Sequence, residues 1–150
     1  MTDPQPTHDI EAVFHEKGIP FTRQRRLLWD YFAGADRAAT IGEATDALRG
    51  GGVGQATVYR TVTLLTELGL LVRVQDSRGE ICYTAPPIGH CHPLICGVCR
   101  RLVRFDGDGD VQDLEARLTA ETGFSIYGHH LEVYGICPEC RAAREGDHDE

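Results

Sequence analysis

Gln55-Ala-Thr-Val-Tyr-Arg-Thr-Val-Thr-Leu-Leu-Thr-Glu-Leu68, closed by Gly69, is the stretch whose reading decides the fold. At 100° per residue, Val58, Val62 and Leu65 fall on one stripe, which predicts an amphipathic helix with that stripe buried. Gly69 supplies its stop. The opposite face carries Ala56, Tyr59, Arg60 and Thr63. An ordinary solvated face would hold Glu and Lys. This one offers a small residue for close approach, a ring for base or methyl contact, a guanidinium for phosphate and a hydroxyl for either, which is the equipment of a helix that reads DNA.

Upstream, Thr40-Ile-Gly-Glu43 has the form of a capping box and predicts a helix from Ile41 to Arg49, ended by Gly50-Gly51-Gly52. Thr22 is the expected N-cap of a helix whose apolar face is Leu27, Leu28, Tyr31 and Phe32 and whose first turn holds Arg23, Arg25 and Arg26. Ile10, Val13 and Phe14 predict a short helix stopped near Gly18 and Pro20. Downstream, apolar residues alternate from Leu70 to Val74 and from Ile81 to Tyr83 around Asp76-Ser-Arg-Gly79, which predicts a β-hairpin. Helices followed by a hairpin give the order of a winged helix-turn-helix. Arg23 and Arg25 join the candidate DNA contacts, with Arg73 and Arg78 on the wing.

Ala85-Pro-Pro-Ile-Gly89 breaks the composition, so residues 1–84 read as a winged-helix DNA-binding domain, 85–90 as a hinge and 91–150 as a second domain. In the second domain Leu94-Ile95, Leu102 to Phe105 and Leu131 to Ile136 predict strands, with one helix over Val111 to Leu118. The whole is α+β. Asp106-Gly-Asp-Gly-Asp110 has the start of a calcium loop, but its twelfth position is Arg117, so calcium is set aside.

The chemistry of the second half lies in Cys96-Gly-Val-Cys99 and Cys137-Pro-Glu-Cys140. Two Cys-x-x-Cys pairs about forty residues apart present four thiolates, the shell of a tetrahedral structural Zn(II) site. Six cysteines also allow disulfides, but no apolar signal segment comes first, so a reducing cytoplasm is expected. His90-Cys91-His92 and His129-His130 flank the thiol pairs. In an extended segment His90 and His92 share a face and Cys91 points away. A second, regulatory divalent site of His90, His92 and His129 follows, completed by Gln112 or Asp113, with zinc favoured over iron or manganese by the His-rich set. Cys91 is a soft ligand, a redox-active thiol or neither; Cys82 reads as a small buried hydrophobe.

The net charge of −8 argues against nucleic acid until it is divided. Residues 1–84 carry nine Lys/Arg and eleven Asp/Glu, whereas residues 85–150 carry six and twelve. The acidity thus sits in the cysteine-bearing half, and a local basic patch governs phosphate contact. No apolar run reaches the roughly 20 residues of a membrane span. No nucleophile elbow or Ser-His-Asp order is present, so neither an enzyme nor a small-molecule substrate is expected.

Ala56-Thr-Val-Tyr-Arg60, the wing, the segment His90 to Cys99 and the closing Tyr134-Gly-Ile-Cys137-Pro-Glu-Cys140 together resemble the ferric-uptake-regulator family of metal-sensing bacterial repressors, over residues 10–141. The resemblance implies a homodimer, a winged helix on a palindromic double-stranded operator, and a C-terminal dimerisation domain that holds metal. It assigns Tyr59 and Arg60 to base and phosphate contact, Arg25 to a backbone contact, the four paired cysteines to structural zinc, and His90, His92 and His129 to a second metal. Gln112 stands where the family usually has Glu. At the family's hinge sensor site this chain has Ala38, Thr84, Cys91, Pro93 and Arg104, and Pro20 replaces a minor-groove lysine. A thiol- or peroxide-responsive regulator of the same fold is the alternative reading.

Overall fold

The computed structural model describes residues 9–86, 91–106 and 108–146. Helices α1 (Ile10–Glu16), α2 (Arg23–Ala33), α3 (Ile41–Leu48) and α4 (Gln55–Glu67) lead into a hairpin of β1 (Val72–Gln75) and β2 (Ile81–Thr84). Then come β3 (Cys91–Cys96), β4 (Leu102–Asp106), α5 (Asp108–Thr122), β5 (Val133–Gly135) and α6 (Pro138–Gly146).

Each helix of the first half starts where its side-chain chemistry allows. The Thr22 hydroxyl accepts from the Arg25 amide, and Thr40 and Glu43 cap each other's backbone reciprocally. Both bonds satisfy amides that a helix start leaves orphaned. Thr40→Ala is expected to cost about 1 kcal/mol, read as a fall in Tm of about 3 °C by calorimetry; an unchanged Tm would show that α3 does not depend on its cap. At the other end of α4, Gly69 has φ 71°. Its amide bonds to the Thr66 carbonyl and that of Leu70 to Leu65, the paired closure that a left-handed residue makes possible.

These helices bury one apolar cluster, in which Phe14, Leu28, Phe32, Val58, Val62 and Leu65 are at most 1% exposed. Each such side chain contributes about 1.5–3 kcal/mol of burial. Trp29, outside the expected face of α2, is in this core as well. The hairpin pairs Val72 with Thr84 through Gln75 with Ile81, and with the helices it makes a winged helix. Its turn is held by Asp76, whose Oδ1 accepts from the Arg78 and Glu80 amides at 2.9 Å.

The second sheet has the order β4-β3-β5, with β3 and β4 antiparallel and β3 and β5 parallel. A smaller apolar cluster of Ala38, Val74, Cys82 and Ile95 connects the segment before α3, the hairpin and β3. Of the expected hinge, residues 87–90 lie outside the described residues, and His90 lies outside with them. Among the described residues no helix is long and apolar enough to cross a membrane.

Candidate metal centres and nucleic-acid interface

Helix α4 meets solvent with the face expected of it. Val58, Thr61, Val62 and Leu65 are buried, while Ala56, Tyr59, Arg60 and Thr63 are exposed, Tyr59 at 60%. The Thr63 hydroxyl donates to the Tyr59 carbonyl at 2.9 Å, so its oxygen is held close to the helix. Arg60 has no ion-pair or hydrogen-bond partner among the described residues, which leaves its guanidinium available to phosphate or a base.

The arginines of α2 are engaged within the chain. Arg23 Nη1 donates to the Gly51 carbonyl at 3.2 Å, Arg25 donates to the Pro20 carbonyl, and Arg26 pairs with Glu11. Arg25 and Arg26 also lie over the rings of Phe14 and Phe21. On the wing, Arg78 sits beside Asp76 and Glu80, and the Ser77 amide donates to the Gly97 carbonyl at 2.7 Å. The hairpin tip thus docks on the loop between Cys96 and Cys99.

The four paired cysteines converge, their sulfurs all within 4.8 Å of one another. Cys99 and Cys137 are 3.8 Å apart, Sγ to Sγ. Thiolates bound at about 2.3 Å from a tetrahedral zinc lie about 3.8 Å from each other, so the spacing fits the ion. No disulfide joins any of these thiols. β3 delivers Cys96, the turn into β4 delivers Cys99, and the first turn of α6 delivers Cys140. The two pairs are also strapped by Arg101, which donates to both oxygens of Glu139 at 2.9 and 2.6 Å.

The electrostatics of this cluster ask for a cation. Burial pushes the Cys96 thiol up, but the amides of Cys137, Cys99 and Val98 outweigh it and bring the pKa down to about 6. Cys140, hydrogen-bonded to Cys137 and partly desolvated, is pushed up to about 12. The Cys96 thiolate is therefore accommodated readily, whereas Cys140 resists ionisation until a positive ion compensates it.

A second pair forms between His92, which is 8% exposed, and His129. Their Nε2 atoms are 3.4 Å apart and their rings are tilted by 46°. Nitrogens bound at about 2.0–2.1 Å from a tetrahedral metal are separated by about 3.4 Å. His129 Nδ1 donates to Glu115 Oε1 at 2.7 Å, which leaves the Nε2 lone pair facing His92. A carboxylate behind a ligating imidazole fixes its tautomer and raises its basicity. Glu115, which the sequence reading did not name, is the carboxylate partner of His129. Gln112, named to complete the second metal site, is exposed one turn earlier on α5. Asp113 is exposed as well.

Positions named for a hinge sensor hold no ligand cluster among the described residues. Ala38 is 2% exposed within the small apolar cluster, Thr84 is 3% exposed, and Pro93 pairs with Arg104 across β3 and β4. Cys91 Sγ lies 3.1 Å from Asp106 Oδ1.

Residues 16–134 match the model of the ferric uptake regulator family. The chain is 32% identical over 127 residues to a zinc uptake regulation protein of Mycobacterium tuberculosis (strain CDC 1551 / Oshkosh), covering 83% of this chain and 97% of that one. It is 30% identical over 136 residues to the ferric uptake regulation protein of Campylobacter upsaliensis, covering 87% and 86%. A solved structure of a zinc uptake regulator in complex with zinc and DNA superposes with a TM-score of 0.63 at 24% identity, over 91% of this chain and 93% of that one. That likeness concerns the fold.

Proposed function

The chain belongs to the ferric uptake regulator family, and from that premise we propose that it is a homodimeric transcriptional repressor that binds a palindromic operator when a divalent metal, zinc before iron or manganese, acts as corepressor. Family membership makes it a metal-dependent DNA-binding regulator. The observation that carries the DNA part is the outer face of α4, where Tyr59 and Arg60 stand exposed above a buried apolar stripe.

The metal part follows from two donor sets of different character. Four clustered thiols suit a structural zinc, which when bound neutralises them and closes the loop pair. His92 and His129, with His90 outside the described residues, form a borderline nitrogen set that suits zinc better than a hard ion. A second copy of the chain is the proposed cover for Val103, Leu114, Leu118 and Val133, which are between 39% and 52% exposed. The redox alternative finds less support, because Cys91 Sγ lies against the Asp106 carboxylate, and a neighbouring anion does not favour a reactive thiolate.

The test begins with metal content per subunit, followed by selection of a duplex from a randomised DNA pool by the zinc-loaded protein. Two metals per subunit are expected. Mild chelation should remove only the histidine-bound one and weaken binding to the selected duplex about a hundredfold, equivalent to roughly 2.7 kcal/mol of differential binding. Equal binding with and without that metal would sink the corepressor role. Release by peroxide alone would install the redox reading instead.

A further inference from the structure

Arg100 follows directly on Cys99 and has φ 65°, the one positive φ of a residue other than glycine among the described residues. Glycine is the default in that conformation, so an arginine there stands against a backbone penalty. Its side chain has a specific use. The guanidinium grips Glu43 with two parallel bonds, Nη1 to Oε2 at 2.7 Å and Nη2 to Oε1 at 2.5 Å. Nη1 also reaches Cys82 Sγ at 3.4 Å, and the Arg100 side chain is only 16% exposed. A two-pronged, partly shielded Arg–carboxylate pair is among the stronger polar contacts a protein makes.

Both ends of this contact are strategic. Arg100 is anchored in the four-cysteine loop, its amide bonded to the Cys96 carbonyl at 2.8 Å and its carbonyl accepting from the Ala38 amide at 3.1 Å. Glu43 is the capping residue of α3, and α3 packs directly on α4. The pair therefore runs from the four thiols to the helix beneath the DNA-facing surface. The Arg100 side chain is a direct polar link between the thiol-bearing loop and α3. Arg100 also holds the Glu43 carboxyl below its ordinary range.

We propose that Arg100 is a positioning residue for DNA binding: its clamp on Glu43 transmits the state of the four-cysteine site to α3 and so sets the angle at which α4 meets DNA. This rests on the DNA-regulator reading above. It makes the four-cysteine site a participant in regulation as well as a staple of the metal-binding half. Coupling of this kind is carried by a contiguous chain of packed and bonded groups.

Three variants of the full chain test it: Arg100→Gly, which removes the clamp and relieves the backbone; Glu43→Gln, which keeps a residue able to close the capping box but removes the ionic pair; and the two combined. Zinc content at the four-cysteine site is expected to stay at the wild-type level in all three. Affinity of the zinc-loaded protein for a duplex selected by the wild type should fall about tenfold in each single variant. The double variant should be no weaker than the singles. Amide exchange over residues 36–43 should quicken when wild-type protein is stripped of zinc, and should already be quick in zinc-loaded Arg100→Gly. Unchanged affinity in either single variant, or losses that add in the double, overturns the coupling. Should the wild type select no duplex, the DNA reading fails, and the exchange measurement alone decides the clamp: equal exchange in wild type and Arg100→Gly refutes it.

Discussion

Cys96→Ser is expected to empty the four-cysteine site and to unfold the second half of the chain while the α1–α4 core stays folded. The contrast follows from where burial lies. The first half hides Phe14, Leu28, Phe32, Val58, Val62 and Leu65 almost completely. In the second half, among the described residues, burial is confined to Ile95, Cys96, His92 and Pro93 of β3; β5 is exposed throughout, and α6 buries nothing. The Arg101–Glu139 strap is partly exposed, most of all at Glu139, and surface pairs of this kind contribute about 0–1 kcal/mol. A zinc bound by four thiolates contributes on the order of 10 kcal/mol in small zinc-dependent folds. A zinc at the four cysteines would thus supply most of what holds β3, the 96–101 loop and α6 together. Metal content together with amide exchange over residues 91–106 and 133–146, compared with residues 10–84, reads the outcome. A zinc-free Cys96→Ser protein with wild-type protection in both segments would show that packing and self-association suffice without the ion.

The same division explains what the sequence made legible. Elements held by local chemistry could be read directly: the capping box of Thr40 and Glu43, the Thr22 cap, the Gly69 closure and the period of α4 each have a signature within a few residues. The four thiols could be read because spacing alone specifies them. Elements held from a distance could not. Helix α6 is short and carries few large apolar residues, so Cys137 and Cys140 read as a bare knuckle; in the fold its first turn lies at the thiol cluster and is strapped by Arg101. The parallel pairing of β5 with β3 depends on the long excursion through α5, which leaves no local trace. The contact of Glu115 with His129 Nδ1 was not legible either, because it depends on how α5 docks beside His129. Arg100 gave no signal at all, because its conformation is one the sequence would assign to glycine.

Docking of the hairpin tip on Gly97 and of Arg100 on Glu43 gives the two halves a shared border. The small apolar cluster of Ala38, Val74, Cys82 and Ile95 lies along it. Among the described residues, positions that could have held ligands are occupied there by Ala38 and Pro93, and the border is made of apolar packing, backbone hydrogen bonds such as Ala38 amide to Arg100 carbonyl, and the Arg100–Glu43 ion pair. The donor clusters among the described residues, the four-cysteine loop and the His92/His129 pair, both lie on or beside β3.

Tyr59→Ala combined with Arg60→Ala is expected to abolish sequence-specific DNA binding, a loss beyond a hundredfold, with the fold unchanged. A base-edge contact from Tyr59 is worth about 1–3 kcal/mol, and loss of the Arg60 phosphate contact adds to it, so that in the upper part of that range the sum passes the roughly 2.7 kcal/mol of a hundredfold. The fold should survive because both side chains point away from the Val58, Val62 and Leu65 stripe, and alanine is the strongest helix former. Calorimetric Tm and zinc content at wild-type values would show that only the surface had changed. The two residues separate by their salt dependence. Removing Arg60, as a phosphate contact, should lower the slope of log affinity against log salt by about one, whereas removing Tyr59 should leave that slope alone and reduce the gap between selected and random duplexes. Tyr59→Phe should retain most of the specificity if the ring packs on a base or methyl group, and lose it if the hydroxyl is the contact. A chain with net charge −8 gains no general attraction to DNA from its total. Wild-type affinity in the double variant would therefore mean that some other face of the molecule meets the duplex, and the assignment of α4 would fall.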